Sequence, residues 1–566
     1  MKEGPFELSS ERLGPLPLIN HFVSRLGLSE LIDAAIPTTD GRCRLAYAKA
    51  VGVLIRSIAT EREPVYRLGE AVSSFAPEGF GLGRGEADSL TDDAVGRALD
   101  HFFDADRASL TTEVVVACQQ GFSLCLSELH NDSTTVKFSG QYSKAKGRSI
   151  RGKKAPYITY GYSKDHRPDL KQLLFILTTT TTDGGVPVQF RCEAGNASDS
   201  RSHEETWDAL RLAVGGPDFL YVADSKLCSS DAMEYIDREG GRFVCVLPRS
   251  RSEDSEFRAW IQNHAPAWEK VRDRENPKGK GGPRDRCFVV RYRVCSQEGW
   301  PLFLVFSTLL RLKQQQSRRE RISAAEQDLA DLAETLSGPR CRMRSRYEVR
   351  RKIDSILERH HVKRYLKVGV KQVTEHFYRQ ERRGRPGPDT KYVRQDKKHF
   401  SLSWTLDEEA IAYDHKSDGM YPLLTNDRSL TAAEVFCAHK RQPEVEKRFC
   451  QTKSSLEIAP VLPKNEGRVE ALFFCYFLAL LLCALIEREL RLAMAREGVS
   501  ELPLYPEERV TSRPTSEQIF RLFSLTERHT LTKDGEFVQV FDPDLSDLQK
   551  QVLGLLGVPF SAYCRG

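Results

Sequence analysis

Three acidic residues from distant parts of the chain, Asp132, Asp224 and Glu446, stand in settings that suit phosphodiester chemistry. Cutting or joining a phosphodiester with metal ions needs carboxylates converging from separate segments. Oxygen ligands suit Mg²⁺, and two ions ~3.5–4 Å apart can serve both the attacking and the leaving oxygen. Strand ends in an α/β sheet are good mounts, because the backbone is rigid and loops open a cleft there. Asp132 interrupts strand-like sequence within His130-Asn131-Asp132-Ser133-Thr134. Asp224 ends the apolar run Phe219-Leu220-Tyr221-Val222-Ala223, where a lone charge is costly. Each aspartate also reads as a turn former or a helix cap. Glu446 and Lys453 lie seven residues apart in a segment opened by Pro443, a favoured first helical residue, so both face one side of a helix. A carboxylate there suits a metal, and the lysine suits a phosphate as a point charge. The same pattern also describes a solvated charged face.

The elements that must position these groups follow from periodicity. Residues 1–120 predict an all-α N-terminal domain, which suits DNA-end binding or dimerisation and equally suits plain packing: Leu16, Leu18, Ile19, Phe22 and Leu26 recur at helical spacing, and Leu90-Thr91-Asp92-Asp93 offers a helix cap. Residues 121–250 change texture. Leu173–Thr182 and Val186–Cys192 flank Asp183-Gly184-Gly185, a strong hairpin signal, and Phe219–Ala223 has the continuous apolar character of a buried strand. A helix over Ser229–Arg238 and a strand over Phe243–Leu247 complete the order of a ribonuclease-H-like α/β core, a mixed sheet flanked by helices. Residues 251–420 predict a basic, β-rich and helical insertion, 421–500 the second part of the core with the Glu446 helix, and 501–566 a C-terminal tail.

With 566 residues the chain exceeds what one hydrophobic core serves, and 40% apolar with 29% charged residues excludes wholesale disorder. The net charge of +5 hides an uneven distribution, for residues 301–400 hold 25 Lys or Arg against 12 Asp or Glu. Around Arg340–Arg351 and Lys363–Lys371, with Tyr347 and Tyr365 interleaved, this surplus suits a polyanion. A second basic run follows Asp132: between Ser133 and Lys164 there is no acid, but Lys137, Lys144, Lys146, Arg148, Arg151, Lys153 and Lys154. Mixed solubilising surface explains any one of these residues equally well. Fourteen cysteines without a C-x-x-C pair, and no signal peptide at Met1, point to a reducing cytosol. Ala471–Ile486, 16 apolar residues between Glu470 and Glu487, falls short of the ~20 a membrane span needs and reads as a buried helix.

Several segments together resemble the DDE transposases of bacterial insertion sequences, in the insertion-sequence-four superfamily, and most closely the branch with a helical N-terminal domain and a large insertion before the catalytic glutamate. They are His130–Thr134 with Val136 and Phe138, the run from Tyr162 through His166-Arg167-Pro168-Asp169-Leu170-Lys171-Gln172, Gly195–Ser200, Val222-Ala223-Asp224, and Asp418-Gly419 through Leu424-Thr425-Asn426. The run ending at Gln172 is the most specific. The family signature Tyr-x-x-Arg-x-x-x-Glu-x-x-x-x-x-x-Lys appears here as His439, Gln442, Glu446 and Lys453, so its Tyr and Arg are missing, with Arg441 adjacent to the arginine position. The resemblance implies that Asp132, Asp224 and Glu446 are catalytic and hold two Mg²⁺ ions, with Mn²⁺ able to substitute. It implies double-stranded DNA as partner, both inverted-repeat ends and target, a homodimer in the synaptic complex, and a cytoplasmic, nucleoid-associated protein with no membrane role. Lys453, Arg441 and the basic run would contact DNA. Two alternatives stay open: an inactive transposase-derived DNA-binding protein, and a metal-dependent nuclease of the same fold.

Overall fold

The structure, a computed structural model, describes residues 6–564 other than 62, 84, 141, 144, 164–166, 198–199, 277–281, 339–340, 344 and 535, without the side chains of residues 200 and 201. Two compact units emerge: Met1–Val246 with Thr425–Ser429 and Cys437–Gly566, and Leu247–Leu424 with Leu430–Phe436.

The first unit opens with a strand, β1 (Phe6–Arg12), and then helices α1 (Leu16–Leu26), α2 (Leu28–Ala35), α3 (Tyr47–Ala59), α4 (Leu68–Ser73), α5 (Asp92–Asp104) and α6 (Arg107–Phe122). Thr91 caps α5 by accepting from the Ala94 N–H, and Asp92 and Asp93 favour the same end through the helix dipole. The core sheet follows: β2 (Glu128–Phe138), a small basic hairpin of β3 (Ser149–Ile150) and β4 (Lys153–Lys154), β5 (Lys171–Thr180), β6 (Pro187–Ala194), α7 (Ser200–Val214), β7 (Leu220–Ala223), α8 (Ser230–Arg238) and β8 (Arg242–Val246). Its strands run in the order β6-β5-β2-β7-β8. β2, β5 and β6 are antiparallel, while β2, β7 and β8 are parallel, so the sheet is mixed. Gly184 (φ +81°) and Gly185 (φ +65°) make the β5–β6 turn, a backbone shape that side chains with a Cβ resist.

The second unit holds α9 (Ser252–Trp260), β9 (Glu269–Arg274), β10 (Asp285–Arg291), β11 (Leu302–Ser307), α10 (Thr308–Ser337), α11 (Arg346–Arg359), β12 (Leu366–Gln380), β13 (Tyr392–Leu406), α12 (Glu408–Ser417) and β14 (Met420–Thr425). β14, β11, β10 and β9 pair in that order, all antiparallel. Ile322, Ala325, Leu329, Leu332 and Leu336 form the buried stripe of α10 at helical spacing and meet Val349, Ile353 and Ile356 of α11.

The chain then returns to the first unit through α13 (Ala432–Lys440), α14 (Pro443–Ser454), α15 (Glu466–Arg496), α16 (Ser516–Phe523), β15 (Glu527–Lys533), β16 (Glu536–Phe541) and α17 (Asp547–Leu556). The apolar run Ala471–Ile486 is the middle of α15, a 31-residue helix. Among the described residues α15 alone is long and apolar enough to cross a membrane, yet 94% of its most apolar stretch lies inside the fold. Phe474 meets Phe102 of α5 at 5.2 Å, Phe477 meets Phe190 of β6 at 6.0 Å, and Phe473 meets Phe138 of β2 at 6.3 Å. A helix wedged between other helices and a sheet must be apolar all round.

Two expectations need correction. The N-terminal region is not purely helical, because β1 pairs antiparallel with β15, Phe6 opposite Lys533 and Arg12 opposite Glu527. Residues 501–566 are therefore no loose tail but part of the first unit, with α16 and α17 packed on α15. A strand whose partner lies more than 500 residues away leaves no local periodic signature.

Candidate active site

The geometry starts from the ladder between β2 and β7. It pairs Glu128 with Leu220, Leu129 with Tyr221 and His130 with Val222, all parallel, and β7 ends at Ala223. Two residues past the last pair on each strand stand Asp132 and Asp224. Alternation puts both on the face shared by Glu128 and His130, and neighbouring strands are ~4.8 Å apart. Asp132 does not end its strand as the sequence suggests, for β2 continues to Phe138 and pairs Asp132 with Leu177 of β5. Each carboxylate is oriented by a nearby amide: Asp132 Oδ1 accepts from the Ser133 N–H at 2.7 Å, and Asp224 Oδ1 from the Lys226 N–H at 2.9 Å.

On the opposite face, α7 presents a buried His203 that the sequence did not single out. Its Nδ1 lies 2.9 Å from the Tyr221 hydroxyl. Burial drives the His203 pKa down to about 4, although the nearby Asp132 charge pulls it upward. Burial and the Asp224 charge push Tyr221 far above its ordinary range. Both groups are therefore neutral near pH 7. Tyr221 sits inside the apolar run Phe219–Ala223, where only a tertiary partner distinguishes it from packing.

The helix that carries Glu446 lies over the face of Asp132. His130 bonds Glu128 through Nε2 at 2.8 Å, and its Nδ1 lies 3.1 Å from Gln442 Oε1 at the start of α14. Turning the Gln442 amide satisfies that contact and also gives its buried Nε2, which lacks a partner, something to bond. Arg441 grips the Glu128 carboxylate with two guanidinium nitrogens, and Thr181 donates to it at 2.8 Å. Burial would raise the Glu128 pKa, but the hydrogen bonds from His130 and Arg441 hold it down at about 2. Further along α14, the buried Arg448 donates to the Gly185 and Gly184 carbonyls and to Glu487 of α15, each at 2.8 Å. Glu446 is exposed on the flank of α14 that also carries Gln442 and Lys453. Among the described residues no three His, Cys, Asp or Glu side chains form a group able to hold a metal ion. The donor set nevertheless suits a hard divalent cation at the aspartate pair, where two oxygen ligands share one opening.

The expected DNA contacts divide sharply. Arg441 pairs with Glu128 and so ties the start of α14 to β2. His439 belongs to α13, not to the Glu446 helix, because the chain turns at Arg441 and Gln442. Arg148 pairs with the buried Glu466 at 3.1 Å, and Arg151 with Asp104 at 2.5 Å. Lys153 donates to the Phe103 and Ala105 carbonyls at 2.9 and 3.0 Å, and burial lowers its pKa. These cations link the small hairpin to α5 and α15, a role that local sequence cannot reveal. Lys146 and Lys154 are exposed, and Lys453 is half-buried on α14. Lys137 stands an odd number of residues from Asp132 on β2, so it leaves the opposite face of the sheet. Lys144 lies outside the described residues. In the second unit, Tyr347 is exposed at 74%, whereas the Tyr365 hydroxyl donates to Asp414 at 2.7 Å.

Residues 8–116 match a family model described as a domain of unknown function, DUF4277. No curated protein matches the chain. Among solved structures, the chain is similar to the piggyBac transposase synaptic complex with hairpin DNA, at 11% identity over 90% of this chain and 78% of that one, with a TM-score of 0.37. A likeness at that level carries no weight in reading the site.

Proposed function

We propose that this protein is a DDE-type transposase that cuts DNA at the ends of a mobile element and joins the freed ends to a target. The observation that carries the reading is the shared register of Asp132 and Asp224 on neighbouring parallel strands, beneath the helix that bears Glu446 and Lys453. In this reading Asp132 and Asp224 hold the metal site, and Glu446, exposed on the helix above them, supplies the third carboxylate. Two divalent ions, Mg²⁺ or Mn²⁺, supply Lewis acidity at the attacking and leaving oxygens when bound there. Lys453 orients a phosphate beside the scissile bond. Water attacks phosphorus in line and the 3′ oxygen leaves as a hydroxyl. That hydroxyl then attacks the phosphorus of a second phosphodiester and loses its proton, the new P–O bond replacing the bond to that diester's 3′ oxygen, which leaves as a hydroxyl, and no bond to the protein forms. Synapsis of two ends makes the working form at least a dimer.

The test uses the full chain and a duplex ending in the inverted repeats that flank its gene. Nicked and joined products should form with Mg²⁺ or Mn²⁺. Asp132→Ala, Asp224→Ala and Glu446→Ala should each lower cleavage on the order of a thousandfold while duplex binding persists. Cleavage without joined products would identify a nuclease. A non-catalytic DNA-binding protein is the second reading, favoured by the open carboxylate arrangement and by His439 and Gln442 at the signature's Tyr and Arg positions. Duplex binding with no cleavage under either ion would establish it.

A further inference from the structure

The second unit carries a two-stranded ribbon whose outer third stands clear of that unit's core. β12 and β13 pair over 15 residues each, from Leu366 opposite Leu406 to Gln380 opposite Tyr392, a length of about 46 Å. An isolated ribbon is marginal in water, so its root must be held. Leu366 and Phe400 are buried against α10 and α11, and Val368, Val370, Leu402 and Trp404 pack on the same cluster. Lys397, opposite Glu375, still donates to the Ser337 carbonyl of α10 at 3.2 Å, and beyond that pair the ribbon stands open on both faces. Three aromatic rings sit there in water: Tyr378 (68% exposed), Tyr392 (52%) and Phe377 (44%).

Charge at the tip is one-sided. From Arg379 to Arg394 there are six Lys or Arg against two acids. Among the described residues Arg379, Arg382, Arg383 and Arg385 have no ion-pair partner, whereas Arg394 is engaged by Asp396 at 3.2 Å. The loop closing the ribbon is ordered by its own bonds, Glu381 N–H to the Lys391 carbonyl at 2.9 Å and Gly387 N–H to Thr390 Oγ1 at 2.7 Å. It frames a hollow of about 410 Å³ lined by Arg382, Arg383, Arg385 and Lys391. Charge along an exposed strand edge also blocks unwanted pairing, but either sign serves that purpose, and it does not call for bare tyrosines.

We infer that this ribbon is a DNA arm: it enters the major groove of duplex DNA, with the tip arginines on backbone phosphates and Tyr378 and Tyr392 against the groove wall. The major groove is about 12 Å wide and admits a two-stranded ribbon. Arginine and tyrosine are both common phosphate ligands. The inference deepens the transposase reading and rests on its DNA partner, but not on its catalysis.

The experiment measures binding of the full chain to a duplex of arbitrary sequence across a range of salt, by fluorescence anisotropy. The variant is Arg379→Ser with Arg382→Ser, Arg383→Ser and Arg385→Ser, all at the exposed tip, so an unchanged melting temperature verifies its fold. If the tip meets phosphates, the slope of log affinity against log salt should become shallower by about three to four, and low-salt affinity should fall roughly ten- to a hundredfold. Arginine-to-lysine replacements at the same positions should keep the slope. An unaltered slope and affinity in the serine variant overturns the arm. So does tighter binding of the intact chain to single strands than to duplex, or loss of a dimer with DNA binding unaffected. Salt-dependent duplex binding without cleavage would sink the enzymatic reading and leave the arm standing. Failure of the intact chain to bind duplex at all removes both.

Discussion

Asp132 lies within β2 and Asp224 just past the end of β7, each two residues beyond the pair of His130 and Val222 that ends the parallel ladder. Two carboxylates side by side at an opening repel one another unless a cation lies between them.

Metal binding should therefore show as stability. Mn²⁺ at about a hundred times its dissociation constant should stabilise the intact chain by about 2.7 kcal/mol. The Asp224→Asn variant should lose that response, and without metal it should melt no lower than the parent because a like-charge pair has been relieved. Differential scanning fluorimetry with and without Mn²⁺ decides; equal shifts in both proteins would place the ion elsewhere.

The Glu128–Arg441 pair gives a pH prediction. Glu128 has a folded pKa of about 2, below its ordinary 4.5, so its stabilisation is present above that ordinary value and disappears as pH falls toward 2. Arg441 is 35% exposed, and allowing for screening there the effect is about 2–3 kcal/mol. Arg441→Met should lower the urea midpoint near pH 7 and flatten its decline between pH 5 and 2.5. An identical acid dependence in both proteins would show that the pair contributes nothing.

Helix α15 offers a contrast within one element. Phe474 is 2% exposed between α5 and the sheet, and Phe474→Ala should destabilise by about 3–5 kcal/mol, seen as a lower melting temperature. Leu492, on the same helix but 48% exposed, should tolerate alanine within about 0.5 kcal/mol. Comparable losses at the two positions would mean that α15 is not the spine described above.

Elements whose signals are local were legible in advance. The Asp183-Gly184-Gly185 turn, the buried strand before Asp224 and the Pro443 helix start all appear where spacing and turn chemistry put them. The partners of the basic residues after Asp132 were not legible, because the sign of a charge is visible in sequence but its partner is not: Arg148, Arg151 and Lys153 meet Glu466, Asp104 and backbone carbonyls of distant segments.

Residue types and short-range periodicity alone determined which acids were candidates, which segments were strands or helices, and where positive charge accumulates. Tertiary structure decided that Asp132 and Asp224 each lie two residues past the end of one ladder, that His203 meets Tyr221, that Arg441 pairs with Glu128, and that the first strand pairs with the fifteenth. Backbone conformation depends on neighbours a few residues away, whereas ladders, ion pairs and burial join groups hundreds of residues apart, and no local pattern encodes them.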